Sequence, residues 1–224
     1  MISFLMESGY TCMQRKSISR QALERLTTYL NYLHGLPDDS KETISATNIA
    51  DALGINQVVV RKDLAEVSSG GRPKVGYVRH DLIRDIEHSL GWDDVCSAVL
   101  VGVGNLGRAL LSYKGFDQYG LEIVVAFDSS RALQGHTFGR TKVLSPARMA
   151  DLCRRMRLHI GIITVPAEEA QAVCDTLVDC GIRAIWNFAP THLCVPDHVI
   201  VKNENMAASL CELSHGLAAQ DNTD

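Results

Sequence analysis

Six residues constrain this chain more than any others: Gly102–Val103–Gly104–Asn105–Leu106–Gly107. They follow the apolar run Ala98–Val101 and open a stretch carrying Leu110 and Leu111, which reads as strand, tight turn and helix. A second apolar run, Ile123–Phe127, ends in Asp128, 21 residues beyond Gly107. That is the spacing of a dinucleotide-binding unit with its ribose-binding acid. Gly102 permits the tight turn, Gly104 lets backbone N–H groups reach a pyrophosphate, and Gly107 lets the helix lie close on its strand. The helix start at Asn105 and Leu106 offers unpaired N–H donors and a partial positive charge to phosphates. Asp128 is suited to the 2′ and 3′ hydroxyls of an adenosine ribose and repels a 2′-phosphate. The expected cofactor pair is therefore NADH/NAD+, with Arg131 the one nearby feature that softens the preference.

The rest of this half alternates in the same way. Apolar strands are expected at His159–Thr164, Arg183–Asn187 and Val199–Val201, with helices near Leu106–Tyr113, Pro146–Met156 and Ala167–Cys180. Such alternation signals an α/β fold with a parallel sheet. Ligands of open α/β sheets bind outside the carboxyl ends of strands. The loops Thr164–Val165–Pro166–Ala167 and Asn187–Phe188–Ala189–Pro190 are thus expected to face the nicotinamide half, although both are also compatible with ordinary Pro-containing turns. A last helix is expected from about Asn203 to Leu217.

The front of the chain has a different character. Ser19 is placed to cap a helix over residues 20–34, in which Leu23, Leu26, Leu30 and Leu33 recur at helical spacing. Two short helices follow, Thr47–Leu53 and Gln57–Val67, turning at Gly54 with Asn56 as a cap. A basic, glycine-rich stretch from Ser68 to Tyr77 then reads as a hairpin or wing. A further helix covers Asp81–Leu90, and Gly91–Trp92–Asp93–Asp94 is the expected boundary. Helix–turn–helix plus basic hairpin makes a winged helix. Its third helix is suited to the major groove of double-stranded DNA through Gln57, Arg61 and Lys62, with Ser45, Arg72 and Lys74 completing the expected contacts. Arg61 and Lys62 are also compatible with a solvated face.

Charge supports the division. Residues 1–84 hold 11 Lys and Arg against 9 Asp and Glu, whereas residues 85–224 hold 11 against 17. A mildly basic front on an acidic body suits nucleic-acid contact at one end. No apolar run reaches the roughly 18–20 residues of a membrane span, and the start of the chain lacks the pattern of a secretory leader, so a cytoplasmic protein is expected. The seven cysteines form no Cys-x-x-Cys pair and have no zinc-ligand spacing, so no metal is expected. Small buried hydrophobes are the plain reading of them; a thiol switch at Cys174 and Cys180 is the sharper one. No His has a recognisable general-base context, although His192 and His198 lie near late strand ends.

The ordered set Val60–Arg61–Lys62–Asp63–Leu64, Gly102–Gly107, Thr164–Val165–Pro166 and Asn187–Phe188–Ala189–Pro190 resembles the redox-sensing transcriptional repressor family Rex, from about Ser17 to Leu217. The resemblance implies a flexible segment 1–16, a winged-helix DNA-binding domain at 17–91 and a Rossmann NAD(H)-binding domain at 92–202. It also implies a C-terminal helix at 203–218 that is swapped between the protomers of a homodimer. A palindromic operator would be bound when NADH is low and released by NADH, with no catalysis. Tyr113 matches the family's tyrosine near the nicotinamide. Three positions depart from the family pattern: Asn31 stands for an Arg of the first helix, Asn205 for an Asp at the start of the swapped helix, and Met206 for the Phe that enters the partner's pocket. Val67–Ser68 replaces a Phe-Gly, and Pro73–Lys74 a wing Arg-Gly. Two alternatives stay open, and these departures lend weight to the first. One is a Rex-like regulator with an altered ligand response, and the other an NAD-dependent oxidoreductase with an N-terminal dimerisation domain.

Overall fold

The computed structural model describes residues 18–37, 42–92 and 96–221. The chain divides into two compact units, 1–93 and 94–224. The segment expected to be flexible, 1–16, and part of the expected boundary lie outside the described residues.

The first unit, or head, holds α1 (Arg20–His34), β1 (Thr43–Ile44), α2 (Ala46–Leu53), α3 (Gln57–Val67), β2 (Tyr77–Val78) and α4 (Arg79–Leu90). Local chemistry sets its boundaries. Ser19 accepts from the Ala22 N–H at 3.2 Å, and Asn56 accepts from the Val58 N–H at 2.8 Å, so both expected caps form. Gly54 turns α2 into α3 at φ +64°, a conformation that favours glycine. The two strands pair antiparallel and anchor the wing between them. Leu26, Leu30, Leu33, Ile49, Val60, Leu64, Leu82 and Ile86 are buried together as one core.

The second unit is built on a seven-stranded sheet: β3 (Cys96–Val101), β4 (Leu121–Phe127), β5 (Thr137–Phe138), β6 (Thr141–Leu144), β7 (Ile160–Ile163), β8 (Ala184–Asn187) and β9 (Ile200–Asn203). Helices α5 (Asn105–Ser112), α6 (Met149–Met156) and α7 (Ala167–Asp179) connect them, and α8 (Met206–Asp221) ends the unit. The order across the sheet is β5-β6-β4-β3-β7-β8-β9, parallel throughout except for the edge strand β5. Without that edge strand the order is the doubly wound one of Rossmann sheets, with its switch point between β3 and β7.

β5 and β6 are not among the strands expected from the sequence. β6 is four residues long, carries Lys142 and pairs with β4 only through Val143 and Leu144, too little for an apolar pattern to register. The last helix also begins later than expected. Asn205 accepts from the Ala208 N–H at 3.0 Å, and the preceding residues Ile200–Asn203 extend the sheet instead.

Candidate functional site

The carboxyl ends of β3, β4 and β7 meet at a cleft of about 460 Å³ lined by Gly102, Gly104, Asp128, Thr164, Val165 and Pro166, all expected from sequence. Each glycine has a separate reason. Gly102 lies at φ +96°, and a side chain there would meet the Thr164 carbonyl at 2.8 Å. A methyl group on Gly107 would overlap the Gly102 carbonyl oxygen. At Gly104 nothing beyond its chain neighbours lies within 4 Å of where a side chain would start, so the space there is open. Thr164 locks the turn by donating its hydroxyl to the Gly102 carbonyl at 2.6 Å. No side chain caps α5, so the first-turn amides of Asn105 and Leu106 remain free for an anion. Asp128 accepts from the Val103 N–H at 2.6 Å and the Ser130 N–H at 2.7 Å, which fixes its carboxylate at the rim beside the glycine turn. Each oxygen keeps a lone-pair site for a ribose hydroxyl.

The cleft's further walls, Pro146, Met149 and Val173, were not expected. Pro146 and Met149 are delivered by β6, so missing that strand meant missing them. Asp128 and Glu169 are the charged residues of the lining; Arg131 is exposed and lines none of it.

The remaining expected core residues are placed otherwise. Asn187 is fully buried, and its side chain is occupied. The amide donates to the carbonyl of Thr191 at 3.0 Å and to Asn203 at 2.9 Å, while its oxygen accepts from the Ala189 N–H at 3.0 Å. It holds the loop rather than offering a free group. Phe188 and Tyr113 are not in the cleft but end a run of aromatic rings. Tyr113 meets Phe116 edge-on at 5.0 Å, Phe116 meets Trp186 at 5.8 Å, and Trp186 meets Phe188 at 4.9 Å. The Trp186 indole donates to Glu204 at 2.9 Å. The Met206 side chain lies outside the described residues. Cys174 and Cys180 are buried, and burial raises both thiols, Cys174 to about 11. They sit in the core among apolar neighbours and lack the exposed thiolate that a switch needs.

The head gathers four of its six expected residues, Ser45, Arg61, Arg72 and Lys74, in a second groove of about 440 Å³ that Thr47 and Tyr77 also line, and leaves Gln57 and Lys62 outside it. Ser45 caps α2 in a reciprocal box with Asn48. Gln57 donates to the Thr47 hydroxyl and so ties the start of α3 to α2. Lys62 is exposed on α3 outside the groove. The wing is a tight turn: Arg72 and Gly76 exchange two backbone hydrogen bonds of 2.9 Å, and Lys74 sits at its tip at φ +62°. Beneath α3 lies a polar clamp that sequence patterning missed. Arg25 grips Asp63 with two bonds of 2.7 and 2.8 Å, and the Tyr29 hydroxyl donates to the same carboxylate at 2.9 Å. Asp63 shares the buried face with Val60 and Leu64, which turns Arg61 and Lys62 outward. The clamp raises the Arg25 guanidinium above its usual range through the bond to Asp63, while burial, aided by Asp63, pushes Tyr29 up to about 12. Ser68, where the family pattern has Gly, is buried and donates to Asp85 of α4 at 2.5 Å.

Comparison with known proteins follows the same division. A family model described as a CoA-binding domain matches residues 94–191, and one described as a putative DNA-binding protein N-terminus matches 17–65. The redox-sensing transcriptional repressor Rex of Porphyromonas gingivalis is 40% identical over 193 residues, 86% of this chain and 88% of that one. Rex of Pelotomaculum thermopropionicum is 37% identical over 209 residues, 93% and 98% of the two chains. The chain belongs to the Rex family. Among solved structures, the Rex-family repressor RSP in complex with NAD+ and operator DNA matches with a TM-score of 0.86 and 31% identity, covering 92% of this chain and 95% of that one. RSP with NADH matches at 0.82 and 30% identity, covering 92% and 97%. Both Rex complexes share the fold described above, a winged-helix head followed by a parallel α/β core.

Proposed function

We propose that this chain is a DNA-binding transcriptional repressor that senses the NADH/NAD+ balance, holding a palindromic operator when NADH is low and releasing it when NADH binds. The observation that carries the reading is the presence, in one chain, of a glycine cradle with its acid at a sheet switch point and a basic groove beside a helix–turn–helix. The residues present fit a dinucleotide. The space before Gly104 and the free amides of α5 receive the pyrophosphate, and Asp128 receives the ribose hydroxyls. Because the charged residues of the cleft are Asp128 and Glu169, a 2′-phosphate or the 3′-phosphate of coenzyme A is repelled there. When bound, the nicotinamide supplies the signal, since its two redox forms differ in charge. The protein's part is to bind, orient and exclude. In the head, Arg61 addresses base edges, Gln57 offers them its amide oxygen while its N–H is given to Thr47, and Arg72 and Lys74 address the phosphates.

The same reading includes a cytoplasmic homodimer with exchanged C-terminal helices. Leu210, Leu213 and Leu217 form a stripe along α8 and are 65%, 68% and 63% exposed, as a helix awaiting a second copy would be. Tyr113 and Phe188, at the ends of the aromatic run, are assigned to the nicotinamide side with Met206. Asn31 and Asn205 are both uncharged, so the charge pairing that the family pattern implies is absent, and Asn205 caps α8 instead.

The test is an anisotropy titration on an inverted-repeat duplex at fixed salt. Affinity should fall on saturation with NADH and change less with NAD+. Equal affinity with saturating NADH and without nucleotide defeats the sensing claim. Turnover of NADH with small carbonyl compounds would favour the oxidoreductase alternative.

A further inference from the structure

The surface of α3 carries one large exposed apolar side chain, which neither the clamp nor the groove uses. Val58, in the first turn, is 73% exposed, the highest value among the exposed large apolar side chains of the described residues. It is followed at i+3, i+4 and i+7 by Arg61, Lys62 and Ala65, all exposed, whereas Val60, Asp63 and Leu64 are buried. An apolar side chain thus shares one helix face with two cations. Apolar protein surface does not match such a face, because docking there would strip water from Arg61 and Lys62 without pairing them. The major groove of DNA matches it, since phosphates and acceptor edges there alternate with the C5-methyl groups of thymine.

The geometry is also prepared. The Val58 N–H is held by Asn56 at 2.8 Å, and the neighbouring Gln57 is fastened to Thr47 of α2. A β-branched side chain in a helix keeps one strongly preferred rotamer, so little freedom is lost on contact. In helix–turn–helix proteins the start of the second helix approaches the base edges. We infer that Val58 is a specificity-determining residue that packs against a thymine methyl group beside the base addressed by Arg61. This inference rests on the DNA-binding reading and adds to it a residue and the base it selects.

The experiment begins with the full chain enriching duplexes from a random-sequence pool. In the best duplex each thymine is then replaced by deoxyuridine, one at a time, which removes only the methyl group. Affinities are measured by anisotropy at fixed salt for the wild type and Val58→Ala. At one or two thymines the wild type should lose about fourfold, the factor that one buried methyl group is worth. Val58→Ala should bind the thymine duplex more weakly and no longer distinguish it from the deoxyuridine one, with its salt dependence unchanged. The variant should fold, because alanine is the better helix former at an exposed position. If every deoxyuridine substitution is neutral for the wild type, or if the variant keeps the full penalty, the inference falls while DNA binding stands. If no duplex is enriched at all, the DNA-binding reading itself fails, and this inference with it.

Discussion

The two units make their sites from opposite kinds of atom. In the core, the site proposed for the dinucleotide rests chiefly on backbone: the amides at the start of α5, the turn at Gly102, and the open space at Gly104. Of its two charged residues, Asp128 is itself held by backbone N–H groups. In the head, the surface is made of side chains carried on a helix and a hairpin, and the backbone beneath them is organised by a buried ion pair. A backbone site fails when a side chain is added. A side-chain site fails when one is removed, or when the clamp that aims it is broken. Folding and binding should therefore separate at different residues in the two units. The chain's two tryptophans, Trp92 packed on the core of the head and Trp186 in the sheet, give each unit its own fluorescent reporter.

The clamp offers the largest effect. Arg25→Ala would leave the Asp63 carboxylate, 4% exposed, with Tyr29 as its remaining partner. Breaking a buried pair in this way costs about 3–5 kcal/mol, and the 29% exposure of Arg25 points to the lower end. The Trp92 transition in urea should move down by that amount. NADH binding to the core, measured by calorimetry, should persist if the units are energetically separate; its loss would break the comparison. Next comes the glycine contrast. Gly107→Ala forces a methyl group onto the Gly102 carbonyl and should cost about 1–3 kcal/mol in the Trp186 transition along with dinucleotide binding. Gly104→Ala should leave that transition in place and weaken NADH by about tenfold or more, since the methyl group enters the ligand's space and meets nothing beyond its chain neighbours within 4 Å.

Tyr29 sharpens the account of the head through pH. Burial, joined by the bond to Asp63, lifts its hydroxyl from 10 to about 12. The unfolded chain therefore loses this proton first as pH rises. The stability it contributes is complete below about pH 10 and is lost as pH climbs through about 12. Tyr29→Phe should cost about 1 kcal/mol at neutral pH and flatten the alkaline decline of the Trp92 transition. An unchanged alkaline slope would mean that another group controls it.

How much of this was legible in the sequence follows from the same contrast. A site made of backbone imposes glycine at fixed spacings, and so Gly102–Gly107 and Asp128 could be placed by counting. The winged helix was legible as an order of caps, helices and a basic turn, and its residues Ser45, Arg61, Arg72 and Lys74 do share one groove. What stayed hidden were relations across distance. Arg25 and Asp63 are 38 residues apart, and a charged residue on an apolar face reads as solvated until its partner is seen. β6 was too short and too charged to show, and with it went Pro146 and Met149. Asn187 and Asn205 are polar groups near an expected site, yet both are consumed by local hydrogen bonds. Chemical type alone cannot reveal such commitment. Val58 escaped because exposure, unlike periodicity, is a property of the folded helix.

The smallest effect tests the comparison most directly, because it sets folding against binding in one residue. Lys74 occupies the wing tip at φ +62°, where a residue with a side chain is strained by about 1–2 kcal/mol. Glycine relieves that strain but gains freedom in the unfolded chain worth about 0.5–1 kcal/mol. Lys74→Gly should therefore raise the stability of the head slightly, by about 0.5 kcal/mol on balance. The same change removes a cation from the groove shared with Arg61 and Arg72, so DNA affinity should fall for all sequences alike, and the salt dependence should flatten by about one ion. A stabilising substitution that weakens binding would mark the lysine as held in place for its charge, against the preference of the backbone. If stability and affinity fell together, Lys74 would be serving the turn, and the head would be using its side chains for its own structure as well as for its ligand.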